Sequence, residues 1–235
     1  MRERERLAFT ATGLAVALHY NSFYNIYSFY PGYIGYPGYH RKTVKPPNRI
    51  NRKKPYKPHP TMQRIILIGY MGVGKTTVGK TLAKRLGLMF YDLDWYIESR
   101  MRKTVKQIFD ERGEEGFRKI EHNMLHEVAE FEDVVIACGG GTPCFFDNMD
   151  YMNRQAETIY LDGSPDTIMR HLHMGKGVRP LLLGKSDDEL SAYIHESLEA
   201  RKPFYTKAKH TVEVFPMDSF DKIDTIVGQI TQILE

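Results

Sequence analysis

The stretch Ile65-Ile66-Leu67-Ile68-Gly69-Tyr70-Met71-Gly72-Val73-Gly74-Lys75-Thr76-Thr77 decides how the chain is read. A short apolar run rich in β-branched residues reads as a buried strand. The glycine-rich stretch that follows matches G-x-x-x-x-G-K-[ST]. Val78, Leu82 and Leu86 then recur at helical spacing, and Gly87 stands where a helix would stop. Strand, loop and helix in that order form a phosphate cradle: backbone N–H groups of Gly72, Val73, Gly74 and Thr77 turn towards a polyphosphate. Lys75 reaches its terminal phosphates, and the Thr76 hydroxyl is a ligand for Mg²⁺. The loop marks a nucleotide-binding protein. No Asn-Lys-x-Asp segment is present to read a guanine, and one compact domain leaves no room for motor machinery, so a small-molecule or nucleotide kinase is expected.

The composition agrees once it is divided. The 235 residues carry 33 Lys+Arg, 29 Asp+Glu and a net charge of +4, which alone would raise the question of nucleic acid or anionic lipid. Residues 1–61, however, hold 11 Lys+Arg against Glu3 and Glu5, a net of +9, and residues 62–235 carry −5. The kinase-like part is thus mildly acidic and of single-domain size. Two cysteines, Cys138 and Cys144, are too few to staple a secreted fold. The histidines are scattered without evident ligand spacing.

The first 61 residues share nothing with the rest. Leu7–Leu18 is small and apolar, seven tyrosines lie between Tyr20 and Tyr39, and a Lys/Arg/Pro tract runs from Arg41 to Pro60. A signal-peptide core ending at Ala15-Val16-Ala17 is one reading, and stacking on single-stranded nucleic acid is another. The reading adopted is a disordered extension, translated from a start set upstream of Met62.

The acceptor side is less explicit. Leu88–Tyr91 reads as a second strand that leads into Asp92-Leu93-Asp94, two carboxylates on the rim where α/β sheets bind ligands. One can support a metal and the other face a hydroxyl, or they are a solvated Asp92 and a helix-capping Asp94. A helix opening near Gly113 and continuing to about Glu130 sets Arg118 and Glu121 on one face, with Phe117, Ile120, Met124 and Val128 as its core stripe. That pair is either a guanidinium fork for a carboxylate or a surface ion pair of little value. A third strand ends in Gly139-Gly140-Gly141, where three glycines are costly unless something needs a close backbone.

Taken together these residues resemble the shikimate kinases, adenylate-kinase-like members of the P-loop kinases, and most closely those of Bacteroidetes. The motifs D-x-D-x-x-I-E (Asp92–Glu98), F-R-x-I-E (Phe117–Glu121), G-G-G (Gly139–Gly141), R-P-L-L (Arg179–Leu182) and R-x-P-x-Y (Arg201–Tyr205) follow in the family's order across residues 62–235. The resemblance implies ATP-dependent phosphorylation of the shikimate 3-hydroxyl, in chorismate and aromatic amino-acid biosynthesis. It implies that Asp94 orients or deprotonates the attacking hydroxyl, and that Arg118 and Arg201 hold the substrate carboxylate with Gly139, Gly140 and Gly141 beside it. Thr76 and Asp92 would arrange Mg²⁺, Lys75 the transferring phosphate, and Arg179 on a mobile lid the γ-phosphate. Glu121 would fix Arg118, while Phe109 and Phe117 would wall the ring. Arg170 and Pro216 are the implied contacts of the adenine, although His171 and Val212–Met217 depart from the family's usual pattern there.

The expected fold is a three-layer α/β sandwich with a parallel sheet of five strands, about 64–68, 88–91, 133–138, 158–161 and 211–214. The resemblance implies the order 2-3-1-4-5. Helices cover both faces, and the last carries Phe220, Ile223, Val227, Ile230 and Leu234 along one stripe. The implied enzyme is a cytoplasmic monomer that needs neither nucleic acid, membrane nor obligate protein partner. A gluconate or nucleotide kinase, and a kinase-like protein without turnover, remain as rival readings.

Overall fold

A computed structural model describes residues 63–174 and 186–235. Strand β1 (Arg64–Ile68) leads through the glycine-rich loop into α1 (Lys75–Leu86), then β2 (Met89–Asp92) and α2 (Leu93–Met101). Helix α3 (Val105–Val128), β3 (Val134–Ala137) and a 3₁₀ turn (Thr142–Cys144) precede α4 (Asn148–Gln155) and β4 (Glu157–Gly163). After α5 (Pro165–Met174) come α6 (Asp187–Tyr205), β5 (His210–Val214) and α7 (Phe220–Leu234).

The five strands are parallel in the order β2-β3-β1-β4-β5, as expected. Along β1 the side chains alternate between two cores: Ile65 and Leu67 meet α1 and α7, whereas Ile66 and Ile68 meet α2–α6. Burial of both faces explains the continuous apolar run. Register then aligns the strand ends, with Leu67 opposite Ala137 and Ala137 opposite Asp92. The glycine-rich loop, the end of β3 and the two aspartates are thereby brought to one rim.

Three details differ from the periodicity. On α3 beyond Gly113 the buried positions are Phe117, Arg118, Glu121, Leu125 and Val128, so an ion pair takes the inward places and Ile120 and Met124 are only partly covered. Helix α3 also begins eight residues before Gly113, at a Thr104–Gln107 capping box, and bends at Gly113 (φ 66°, ψ −177°). On α7, Phe220 is exposed and Ile226 is buried instead, because Ser219 caps the helix and leaves Phe220 in its open first turn. No helix among the described residues is long and apolar enough to cross a membrane.

Candidate active site

The phosphate loop is shaped by backbone conformations that side chains resist. Gly72 (φ 77°) and Gly74 (φ 104°) lie in the left-handed region, and Gly74 is the cap that opens α1. Val73 is buried, while Thr77 is exposed on the first turn of α1. Lys75 is buried, and its Nζ donates to the carbonyls of Gly69 (2.8 Å) and Tyr70 (3.0 Å). Burial pulls the Lys75 ammonium from its ordinary 10.5 down to about 8, against the pull of Asp94 and Asp92. A buried ammonium with that deficit is a receptor for a polyphosphate.

The two aspartates separate into different roles. Asp92, not Asp94, is the N-cap of α2, accepting from the Trp95 N–H at 3.4 Å. Its other oxygen accepts from the Thr76 hydroxyl at 2.8 Å. Burial raises the Asp92 carboxyl above its ordinary value, although the Thr76 bond and Lys75 oppose that shift. Asp94, in the first turn of the helix, is buried within the electrostatic reach of Lys75.

Across the cleft, Arg118 donates to Glu121 at 2.7 Å, with both side chains almost wholly enclosed (2% and 1% exposed). This is no surface pair. Glu121 also accepts from the Thr142 hydroxyl at 2.7 Å, and Glu114 lies 3.5 Å from Arg118. The guanidinium packs over the ring of Phe145 at 4.2 Å and near Phe117 at 5.3 Å. The rings of Phe109 and Phe117 pack against one another, tilted by 36° with centres 4.4 Å apart. Arg201 lies 5.3 Å from the ring centre of Tyr70.

The glycine run lets these groups converge. A Cβ on Gly139 would stand 3.0 Å from Glu121 Oε1, 3.1 Å from Thr142 Oγ1 and 3.2 Å from Asp94 Oδ1. One on Gly140 would stand 3.2 Å from the Met71 nitrogen and 3.5 Å from Arg201. Gly141 caps the following 3₁₀ turn, and its carbonyl accepts from the Cys144 N–H. Tyr205, fully buried on α6, donates its hydroxyl to the Gly140 carbonyl at 2.5 Å and fixes that backbone. Burial pushes both thiols up, Cys144 to about 11, so neither is a nucleophile at neutral pH.

Lys75, Thr76, Asp92, Asp94, Arg118, Gly139, Gly140 and Arg201 therefore share one cleft. Arg170 is exposed on α5, where the charge it feels is that of Asp218. Arg179 and residues 175–185 of the expected lid, and residues 1–62, lie outside the described residues, while His173 and Met174 form the last turn of α5. Two contributors carried no recognised signal: Phe145 under Arg118, and His171. The His171 ring lies 2.9 Å from the Gly72 carbonyl through Nδ1 and accepts from the Met217 N–H through Nε2 at 2.8 Å.

A family model described as shikimate kinase matches residues 71–234. A shikimate kinase of Parabacteroides distasonis is 56% identical over 173 residues, covering 74% of this chain and 100% of that relative. One of Phocaeicola vulgatus is 54% identical over 173 residues, covering 74% and 99%. The crystal structure of shikimate kinase from Bacteroides thetaiotaomicron superposes with a TM-score of 0.72 at 52% identity, covering 74% of this chain and 99% of that one. Shikimate kinase from Acinetobacter baumannii in complex with shikimate does so at 0.63 and 30%, covering 74% and 94%.

Proposed function

The chain belongs to the shikimate kinase family and phosphorylates shikimate with ATP in aromatic amino-acid biosynthesis, and we propose that Asp94 directs the transfer to the 3-hydroxyl. The observation that carries this is one buried carboxylate, Asp94, set between the phosphate-loop Lys75 and the Glu121–Thr142 pair that holds Arg118. A polyol acid needs both ends of that arrangement. Its carboxylate takes a planar fork from Arg118, with Arg201 supplying the second cation. Its hydroxyl then meets Asp94, which accepts the hydroxyl proton or holds the oxygen towards the γ-phosphorus. The O–P bond to the acceptor forms as the bond to ADP breaks, and the proton leaves through the carboxylate. Phosphoryl transfer asks mainly for alignment and charge neutralisation, which Lys75 supplies at the transferring group. We assign Arg179 to the same phosphate.

The Thr76 hydroxyl and the Asp92 carboxylate are hard oxygen donors already 2.8 Å apart, and Asp92 is an enclosed carboxylate with its pKa raised by burial. They suit Mg²⁺, which when bound would draw charge from the polyphosphate. The catalytic unit is residues 62–235, acting as a cytoplasmic monomer. A coupled ADP-release assay across shikimate, gluconate and nucleoside monophosphates tests the reading. Turnover should depend on shikimate alone, and its absence with shikimate would overturn the assignment.

A further inference from the structure

Outside the cleft, α3 and the start of α4 bring His122, His126 and Asp147 together. Spacing of four places both imidazoles on one helix face, with ring centres 4.3 Å apart. Asp147 caps α4 beside them, and one ligating atom from each residue lies within 4.8 Å of the other two. Along the sequence the histidines look scattered; the pair becomes a triad only when the loop after Gly139–Gly141 returns to α3.

The hydrogen bonds around the cluster fix its protonation. Asn148 donates its amide to the Thr142 carbonyl at 2.8 Å, so its own oxygen faces His122 Nδ1, 2.6 Å away. An amide oxygen only accepts; Nδ1 therefore carries a proton, and in the neutral ring Nε2 is the nitrogen with the lone pair. A histidine that donates one nitrogen to a carbonyl while the other stays basic is the usual outer arrangement of a metal ligand. His126 is held flat against Tyr151 (3.6 Å between centres, 13° between planes). Its Nε2 is buried and has no hydrogen-bond partner among the described residues. Burial and the neighbouring His122 push the His126 pKa below its ordinary value, which favours the neutral ring. Among the described residues, the Asp147 carboxylate is otherwise engaged by Arg154 at 3.4 Å, an exposed pair of little strength.

We propose that His122, His126 and Asp147 form a binding site for a divalent transition-metal ion of the zinc class, separate from the Thr76–Asp92 pair. Two imidazoles and one carboxylate match zinc, nickel or copper and not magnesium. Tetrahedral bonds of about 2.0–2.2 Å need ligand atoms roughly 3.5 Å apart, so binding would draw the two rings and Asp147 together from within their present 4.8 Å. The site is tied to the acceptor pocket, since Asn148 holds the Thr142 carbonyl and the Thr142 hydroxyl holds Glu121.

The test is a titration of the full chain, free of nucleotide, with Zn²⁺ against a chromophoric chelator, repeated with Co²⁺ for its absorption bands. One equivalent should bind, and His126→Gln should weaken it by at least about tenfold. Asp147→Asn, at an exposed position that leaves the fold intact, should weaken it measurably and alter the Co²⁺ spectrum. Parental affinity and spectrum in both variants, or no Zn²⁺ bound by the parent at micromolar concentration, would overturn the proposal.

Discussion

The two halves of the cleft are built in opposite ways. The nucleotide half is made almost entirely by one contiguous stretch, Gly69–Thr77, whose positive-φ glycines and buried Lys75 shape the cradle from main chain. The acceptor half is gathered from four separate elements: Asp94 on α2, Arg118 and Glu121 on α3, Thr142 after β3, and Arg201 with Tyr205 on α6. A cradle of backbone survives the loss of a side chain. A buried network of charges does not, because each member removed leaves another without its counter-charge. Substitutions on the acceptor side should therefore disturb shikimate binding and folding together, and those on the nucleotide side should act on the phosphates and leave folding largely intact.

The largest effect belongs to Asp94. Asp94→Asn keeps the shape and removes the base, and kcat should fall by about 10³-fold. ATP affinity, measured by calorimetry, should stay within about twofold, because the loop's shape is set by its own glycines and Asp94 adds only a charge near Lys75. Near-normal turnover would remove Asp94 from the reaction; a collapse of ATP binding would join the two halves that the structure keeps apart.

Arg118 tests the network itself. Arg118→Ala should raise the KM for shikimate by about 10²-fold, as a charge-assisted bidentate contact of roughly 3 kcal/mol is lost. It should also lower unfolding stability by about 3 kcal/mol, since Glu121 stays buried with only Thr142 against it. Adding Glu121→Gln to that variant should restore most of the stability and none of the affinity. If chemical denaturation finds both single variants as stable as the parent, the pair is no network.

This contrast explains what the sequence could disclose. The strands themselves, the helix stop at Gly87 and the phosphate loop were legible because they follow from local pattern, whereas the strand order came only with the family resemblance. The inward turn of Arg118 and Glu121 was not, because apolar periodicity assigned those places to Ile120 and Met124. Only the motif taken whole pointed to the pair's use. Asp92 and Asp94 exchanged their expected capping roles for a similar reason: either can cap, and burial at the rim decides. Phe145 and Tyr70 carry no local signal, since what stacks on an arginine is settled by tertiary packing. His122 and His126 did carry one, their spacing of four, and it became informative only with Asp147 beside them.

On the nucleotide side a proton sharpens the comparison. Burial sets Lys75 at about 8 in the folded protein against an ordinary 10.5. A lowered lysine costs stability where both states are protonated, below about pH 8, and the cost fades as pH rises towards 10.5. A bound polyphosphate restores the charge, so ATP binding should take up about half a proton at pH 8 and nearly one at pH 9. Affinity should fall about tenfold between neutral pH and pH 9. Calorimetry in buffers of different ionisation enthalpy reads the uptake directly, and Lys75→Met should abolish it. Uptake that persists in that variant would assign the proton to another group.

The smallest effect falls where the nucleotide half is not self-sufficient. His171, far from the loop in sequence, bridges the Gly72 carbonyl and the Met217 N–H, and the Met217 methyl sits where a Cβ on Gly74 would lie. Because Nε2 accepts from a backbone N–H, Nδ1 must be the protonated nitrogen that donates to Gly72. The ring thus clamps the cradle to the segment after β5. His171→Ala removes two neutral hydrogen bonds, of which about 1 kcal/mol should appear in nucleotide binding. The KM for ATP should therefore rise about fivefold, with the KM for shikimate unchanged. His171→Gln, able to keep one of the two bonds, should fall between. An unchanged KM for ATP in His171→Ala would mean that Gly69–Thr77 holds its shape without help. Equal changes in both KM values would mean that the clamp serves the whole cleft, and the division into two independently built halves would fail at this residue.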